Sequence, residues 1–416
     1  MVAEILCVGT ELLMGQVLNS DAKYLAQELS RLGITLYHQT TVGDNPGRLR
    51  QAFRQAWERS DLVITTGGLG PTMDDLTKET IAEELGLPME RHEESYQKLL
   101  SFFQTGGRTM TPNNEKQAWF PKECIVLKND RGTAPGCVIE QDGKSVVILP
   151  GPPRELTYVF EHEVLPYLQQ KNNAYFHSIN LRFFGIGESA LEHTIRDIME
   201  AQTNPTVAPY AGTGEVMLRV TASAATPEEA EALTVPMKGE ILSRVGEFLY
   251  TDRYGSLAET LVREMADSGV TLAVAESCTG GMLSSQIVDI SGSSAVLQGS
   301  VVSYSNAAKV DLLGVSPDTL TRWGAVSEQT ALEMARGALE RFHSDYALST
   351  TGVAGPDGGT AEKPVGLVYV GMVGRNGAEQ VLRLQISRDR NYVRSVTCLH
   401  AYNLLRKQVI SDRNKV

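Results

Sequence analysis

Ser277 and Cys278 stand side by side in AVAESCTGG, residues 273–281. An apolar run, two adjacent nucleophiles and two glycines make a strand that ends in a tight turn. Such a turn exposes one side chain and surrounds it with free backbone amides fit for an oxyanion. A serine there needs a base, and only His343 and His400 follow it in the chain. A cysteine would instead be activated by a cation or a helix N-terminus. The segment departs from the hydrolase elbow, because no Gly stands two residues before Ser277. Plainer readings stand beside the catalytic one: Ser277 as a helix cap, Cys278 as a small buried residue. Lys309, in VVSYSNAAK, offers a base without histidine, with Tyr304 and Asn306 on the same rim. A lysine desolvated in a pocket can lose its proton near neutral pH, whereas an arbitrary helix lysine is solvated. His343, in RFHSDY, reads as a helix-end residue serving the dipole, and His400 falls inside the last helix.

Two glycine-rich loops carry the remaining chemistry. In STTGVAGPDGG, Thr350, Thr351, Gly352, Gly355 and Gly358 offer amides and hydroxyls suited to phosphate, or simply form a turn. Arg390 and Arg394 in SRDRNYVR lie at a helix start, Arg390 as a phosphate contact and Arg394 as a solvated residue. TTGGLGPTMDDLTKET joins a strand to a helix, where glycines admit a ligand to the backbone and the helix start favours phosphate. It is neither a P-loop nor GxGxxG. Asp74 and Asp75 in it either complement the helix dipole or meet Asp44 and Glu11 around a divalent cation.

The elements that must position these residues alternate. AEILCVG, ITLYHQTTVG and DLVITTGG read as strands, separated by a helix capped by Ser20 or Asp21 and a second one opened by Pro46. That order implies a parallel, doubly wound sheet with its crevice at the strand C-terminal ends. The polar QQKNNA near residues 171–174 marks a boundary, and a small mixed unit follows. A KH-like module is one reading of that unit, but it has no Gly-X-X-Gly loop between helices, so RNA binding does not follow. From Ser256 the α/β alternation returns, through VTLAVAE, SAVLQGSVVSYS and DYALSTTG. The expected fold class is α/β, with two αβα-type domains over 1–170 and 253–416 joined by a small α+β domain over 171–252.

Several segments carry a family resemblance. VGTELLMGQVLNSDAKYLAQEL, TTGGLGPTMDDLTKE, PNNEKQA, NDRGTAPG and LPGPPRE together resemble the N-terminal domain of the competence/damage-inducible CinA family, itself similar to molybdopterin-binding MogA/MoaB proteins. The resemblance implies a metal-dependent ADP-ribose pyrophosphatase. By carry-over, Asp44 and Asp75 are the functional aspartates, and Glu11, Asp44, Asp74 and Asp75 would hold the metal. Gly67, Gly68, Gly70 and Thr72 would cradle a phosphate, and Asn114, Lys116, Thr133, Pro150, Gly151 and Pro152 would line the nucleotide. The relatives' arginine beside the aspartate is Asp74 here, which suits a metal site. AESCTGG, SYSNAAK, GAVSEQT, TTGVAGPDGG, EKPVG and DRNYVR resemble the family's C-terminal domain, a nicotinamide mononucleotide deamidase. There Ser277 would be the nucleophile, with Tyr304 and Lys309 assisting. Glu276, Cys278, Thr279, Gly280, Gly281, Asn306, Thr351, Gly352, Gly355 and Arg390 would surround the substrate. The family's usual Gly-Asp-Arg is Arg388-Asp389-Arg390 here, which affects the backbone before Arg390 and not the nucleophile. The resemblance also implies a homodimer. A non-catalytic nucleotide sensor in the N-terminal domain, or a competence or DNA-repair partner protein, are the rival readings.

Composition narrows the classes. The 416 residues carry a formal net charge of −12, which supplies no footprint for general nucleic-acid binding. Five scattered cysteines without paired spacing argue against a secreted disulfide framework, and the first segment lacks the marks of a signal peptide. A cytoplasmic chain without a membrane span is the expectation.

Overall fold

The computed structural model describes residues 1–106, 109–171 and 175–415. Its compact units are residues 1–178 with 221–235, and residues 179–220 with 236–416. Of the boundary expected near 171–174, residue 171 closes the helix Leu165–Lys171 and 172–174 lie outside the described residues.

The first unit is built on a six-stranded sheet of β1 (Val2–Val8), β2 (Thr35–Val42), β3 (Leu62–Thr66), β6 (Ile125–Leu127), β7 (Gly136–Gln141) and β8 (Lys144–Leu149). Their order is β2-β1-β3-β8-β7-β6, while β4 (Met89–Arg91) and β5 (Trp119–Pro121) pair separately. β1, β2, β3 and β8 run parallel, as the alternation demanded; β7 and β6 are antiparallel additions. Both faces of the sheet are covered: Ile5 and Cys7 pack into one core, Leu6 and Val8 into the other. This double covering is why all five residues of β3 are buried, the two threonines included, and why its apolar residues do not alternate. The helix Ser20–Arg31 is capped one residue earlier than expected. Asn19 Oδ1 accepts from Ala22 N at 3.0 Å, leaving Ser20 and Asp21 inside the first turn.

The second unit holds a five-stranded sheet of β13 (Leu272–Glu276), β14 (Leu297–Val302), β15 (Tyr346–Gly352), β16 (Leu367–Gly374) and β17 (Glu379–Gln385). The order is β14-β13-β15-β16-β17, with the first three strands parallel. Val274 faces one core, and Ala273 and Ala275 the other. A four-stranded sheet, β10-β11-β9-β12, is made by β9 (Tyr175–Phe184), β10 (Thr206–Ala211), β11 (Glu215–Ala224) and β12 (Leu249–Thr251). Its helices Glu188–Thr194 and Arg196–Ala201 meet at Ile195, so no Gly-X-X-Gly loop fits between them. Among the described residues no helix is long and apolar enough to cross a membrane.

Both large sheets change direction at their first strand. β1 lies between β2 and β3, and β13 between β14 and β15. A crevice opens at the carboxyl ends of strands at such a switch point, and each predicted site falls there.

Candidate active sites

Glu276 pairs with Val302 on β14 and with Thr350 on β15, so three strand ends deliver their next residues to one edge. Ser277 N then donates to Thr350 O at 2.9 Å and Ser303 N to Glu276 O at 2.8 Å, fixing the rim. After β14 the chain turns at Ser305, whose Oγ accepts from Ala308 N at 3.1 Å and caps the helix Asn306–Leu313. Four residues past the cap, Lys309 points back under the rim. Its Nζ lies 3.1 Å from Ser277 Oγ, 2.8 Å from Ser303 O and 3.4 Å from Tyr304 O, and the residue is only 1% exposed.

Burial holds the Lys309 amine below its ordinary pKa, with no carboxylate among the charges acting on it. Three acceptors surround the amine: Nζ donates to Ser277 Oγ and to the carbonyls of Ser303 and Tyr304. Once it has lost a proton, two N–H groups can keep the carbonyls and the lone pair is free to take the Ser277 hydroxyl proton. Such a pair can act as a nucleophile and its general base.

Cys278 points the other way. Its thiol joins the core with Leu283 and Val393, and burial pushes its pKa up to about 12. The residue contributes its backbone. Ser277 does not cap the following helix either, since Gly281 occupies that place with a left-handed φ of 94°.

Glu276, expected to face substrate, is fully buried and faces its own loop. Its carboxylate accepts from the amides of Gly281 at 2.9 Å, Leu283 at 3.0 Å and Ser284 at 2.9 Å, and from Ser284 Oγ at 2.7 Å. The reason is local: Gly281 has no side chain to cap the helix Met282–Val288, and the carboxylate at the end of β13 does so instead. The expectation that free amides surround the nucleophile is corrected with it for two of the four amides over 278–281. Gly280 N closes a turn onto Ser277 O at 3.2 Å and Gly281 N is taken by Glu276. Within 278–281, the amides of Cys278 and Thr279 are the ones that find neither a backbone acceptor nor the Glu276 carboxylate among the described residues.

The other predicted contacts divide. Thr351, Gly352, Tyr304 and Arg390 line a pocket of about 210 Å³ with Ser277, Cys278 and Lys309. Arg390 donates to Gly355 O at 2.9 Å and to the Tyr304 hydroxyl at 3.2 Å, so the phenol is held by the arginine and Tyr304 touches Lys309 through its carbonyl. The hydroxyls of Thr279 and Thr351 are satisfied internally, by Thr350 Oγ1 at 2.7 Å and Ala325 O at 2.6 Å. Asn306 is exposed in the first turn of its helix and does not line the pocket. Arg394, expected in solvent, clamps the loop from outside by donating from Nε and Nη2 to Thr279 O at 3.2 and 2.7 Å. Nothing in the chain marks that contact, which spans 115 positions.

In the first unit a larger pocket of about 570 Å³ opens at the ends of β1 and β3. Glu11, Asp44, Asp74 and Asp75 line it with Gly67, Gly68, Gly70, Thr133, Pro150, Gly151 and Pro152. Gly67 must be glycine: its φ is 99°, and a Cβ there would lie 2.1 Å from Val8 O. Three expected contacts do not line it. Thr72 donates from N and Oγ1 to Asp75 Oδ2 at 2.9 and 2.5 Å and also bonds Asp74. Lys116 Nζ donates to Thr72 O at 2.6 Å and to Asp75 O, bracing the loop. Asn114 is buried, its Oδ1 accepting from Thr111 Oγ1 at 2.7 Å.

Among the described residues no three acidic, histidine or cysteine side chains converge as metal ligands. The expected quartet of carboxylates therefore rims the pocket without forming a cage, because Thr72 turns Asp74 and Asp75 into their own loop and Thr10 N holds Asp44 Oδ2 at 2.8 Å. This donor set fits a hard cation that uses one or two carboxylates, keeps several waters and takes its remaining ligands from phosphate. The sequence reading missed Asp21, which also lines this pocket. One carboxylate oxygen accepts from Thr66 Oγ1 at 3.0 Å, the other has no partner among the described residues, and burial raises its pKa. Its position in a helix start had disguised it as a cap.

A competence-damage inducible protein of Clostridium novyi is 48% identical over 410 residues, covering 99% of each chain. A CinA-like protein of Kosmotoga olearia matches with the same identity, length and coverage. The chain belongs to the CinA family. The family models that match are a probable molybdopterin binding domain over residues 4–170, the CinA KH domain over 178–251 and the CinA C-terminal domain over 255–409. A solved structure of a competence/damage inducible protein from Agrobacterium tumefaciens is 42% identical and covers 37% of this chain and 97% of that one, with a TM-score of 0.35. Ser277, Lys309 and Arg394 thus fall within the CinA C-terminal match, and the carboxylate-rimmed pocket within the molybdopterin-binding one.

Proposed function

We propose that the C-terminal site deamidates nicotinamide mononucleotide to nicotinate mononucleotide and ammonia, and that the N-terminal pocket hydrolyses ADP-ribose to AMP and ribose 5-phosphate. The observation that carries the first reading is the buried Ser277–Lys309 pair at 3.1 Å. Ser277 Oγ attacks the carboxamide carbon as Lys309 takes its proton, and the amides of Cys278 and Thr279 face the developing oxyanion. The carbon–nitrogen bond then breaks, with Lys309 returning the proton to the departing ammonia. Lys309 next deprotonates a water, whose attack on the ester frees Ser277. A pocket of about 210 Å³ is below the roughly 300–1,000 Å³ that engulfs a drug-sized ligand. It would take the pyridine ring and leave ribose and phosphate outside, toward Arg390.

For the N-terminal reading, Asp44 and Asp75 would hold a divalent cation, which when bound neutralises pyrophosphate charge and activates water. Gly67 to Gly70 would bring backbone amides to the phosphates.

Product analysis with nicotinamide mononucleotide, nicotinamide riboside and ADP-ribose, each with and without chelator, tests both readings. Deamidation should persist in chelator, and AMP formation should stop. Asp75→Ala should lower AMP formation by about 10²-fold or more while deamidation is unchanged. ADP-ribose binding without AMP would make the pocket a nucleotide sensor. Cys278→Ala should leave kcat/KM for deamidation within about threefold of wild type, since only the sulfur is lost and the amide stays. Steady-state ammonia release measures it, and a loss comparable to that of a nucleophile would assign the chemistry to sulfur.

A further inference from the structure

A second pocket, of about 540 Å³, adjoins the one that holds Ser277, and Ala354 and Arg390 line both. The loop between β15 and β16 helps to build it. Val353 O accepts from Gly366 N at 2.7 Å and Gly366 O from Ile386 N at 2.9 Å. The loop is thus closed at its base and tied to the segment that leads into the last helix, Arg390–Arg413. Ala354, Pro356 and Val365 give part of the pocket an apolar lining, and residues 388–391 supply the rest.

Three arginines come from this segment and the first turns of its helix, and two of them are engaged. Arg390 donates to Gly355 O and the Tyr304 hydroxyl, and Arg394 to Thr279 O. Arg388 is exposed, and its guanidinium lies over the Tyr392 ring, 4.7 Å from the centroid. Among the described residues it has no hydrogen-bond acceptor and no carboxylate partner. Stacking of this kind restrains a guanidinium while leaving its N–H edge open to an anion. The carboxylate in the lining, Asp389, is spent on the helix: its Oδ1 accepts from Asn391 N at 3.0 Å and Tyr392 N at 3.1 Å. Asn391 Oδ1 accepts from Arg394 Nη1 at 3.5 Å, which leaves the side-chain NH2 to donate.

We propose that this second pocket is the ribose-phosphate subsite of the deamidase site, and that Arg388 is the residue that selects the nucleotide over its nucleoside. The proposal rests on the deamidase reading above. A ring seated in the 210 Å³ pocket must carry its sugar out past Arg390, and the space on the far side of Arg390 is this one. The apolar lining takes a face of the ribose. The phosphate monoester meets the Arg388 guanidinium and the Asn391 side-chain amide. This contact lies away from the reacting carbon and is made equally in substrate and transition state, so it acts on KM and not on kcat.

Calorimetric titration of Ser277→Ala, with and without Arg388→Ala, against nicotinamide mononucleotide and nicotinamide riboside tests the subsite without turnover. Losing Arg388 should weaken nucleotide binding by about tenfold, as removal of one charge-assisted contact does, and leave riboside affinity as it was. Arg388→Lys should recover part of the loss. In chains that retain Ser277, the ratio of kcat/KM for nucleotide to that for riboside should fall by the same factor, through KM. Ammonia release by wild type together with equal nucleotide affinity in the two Ser277→Ala chains would overturn the subsite and leave the deamidase standing. An equal loss for nucleotide and riboside would also overturn it, since a phosphate contact cannot act on the riboside. No ammonia from either compound with wild type would overturn the deamidase reading and the subsite with it.

Discussion

Ser277→Ala is expected to abolish deamidation to the extent that deleting a nucleophile does, by about 10³-fold or more in kcat. KM for nicotinamide mononucleotide should change little, because the ring pocket and Arg390 remain. The fold should also be indifferent to the change. Ser277 is not the cap of the next helix, and Lys309 keeps its bonds to Ser303 O and Tyr304 O when the hydroxyl goes. Ammonia release and a melting curve measured on the same sample separate chemistry from folding. A variant that melts as wild type yet turns over at more than a tenth of its rate would remove Ser277 from the mechanism.

Lys309→Met should be nearly as damaging, since a positioned general base contributes about 10²–10⁴-fold. Its effect on stability should have the opposite sign. The folded chain holds the Lys309 pKa below the ordinary 10.5, so the unfolded state binds the proton more readily. Wild-type stability contributed by this group therefore rises with pH from the folded pKa up to 10.5, and is lowest below the folded value, where a charge must be buried. Methionine fills the same space without that cost. The variant should melt at or above the wild-type temperature at neutral pH, with a flatter dependence on pH toward 10. In wild type, kcat/KM should climb with pH as the amine loses its proton, and the residual rate of Lys309→Met should lack that limb. A variant that lost stability but kept the limb would mean that another group takes the proton.

How much of this was legible beforehand followed the range of the interactions. Ser277 and Lys309 are 32 positions apart, yet both follow parallel strands, and strand order alone brings such ends together. The same logic placed Gly67 and Asp44 in the first unit. What escaped depended on where hydrogen bonds go once a turn has closed. Glu276 looked like a substrate contact because it adjoins the nucleophile, but the helix after Gly281 lacked a cap and claimed its carboxylate. Asp74 and Asp75 looked like free ligands, but Thr72 lies two and three positions before them and its hydroxyl reaches both. Arg394 looked solvated because the carbonyl it serves is 115 positions away. Tyr304 carried the expectation of assisting the nucleophile, and its phenol meets Arg390 from the last helix.

These redirected bonds bear on mechanism. By occupying the amides of Gly281, Leu283 and Ser284, Glu276 leaves those of Cys278 and Thr279 for the proposed oxyanion, and Arg394 binds the Thr279 carbonyl. In the proposed mechanism the loop that would hold the oxyanion is thus braced from both sides by charged side chains. Such preorganisation lets neutral amides stabilise a developing charge without reorganising.

The central claim is that Ser277, and not its neighbour, carries the acyl group. Peptide mass spectrometry of the chain quenched in acid during turnover of nicotinamide mononucleotide tests it directly. An ester of nicotinate mononucleotide on the peptide of residues 273–281, assigned by fragmentation to Ser277 and lost in Ser277→Ala, is the predicted result. An adduct on Cys278, or undiminished turnover by Ser277→Ala, would contradict it.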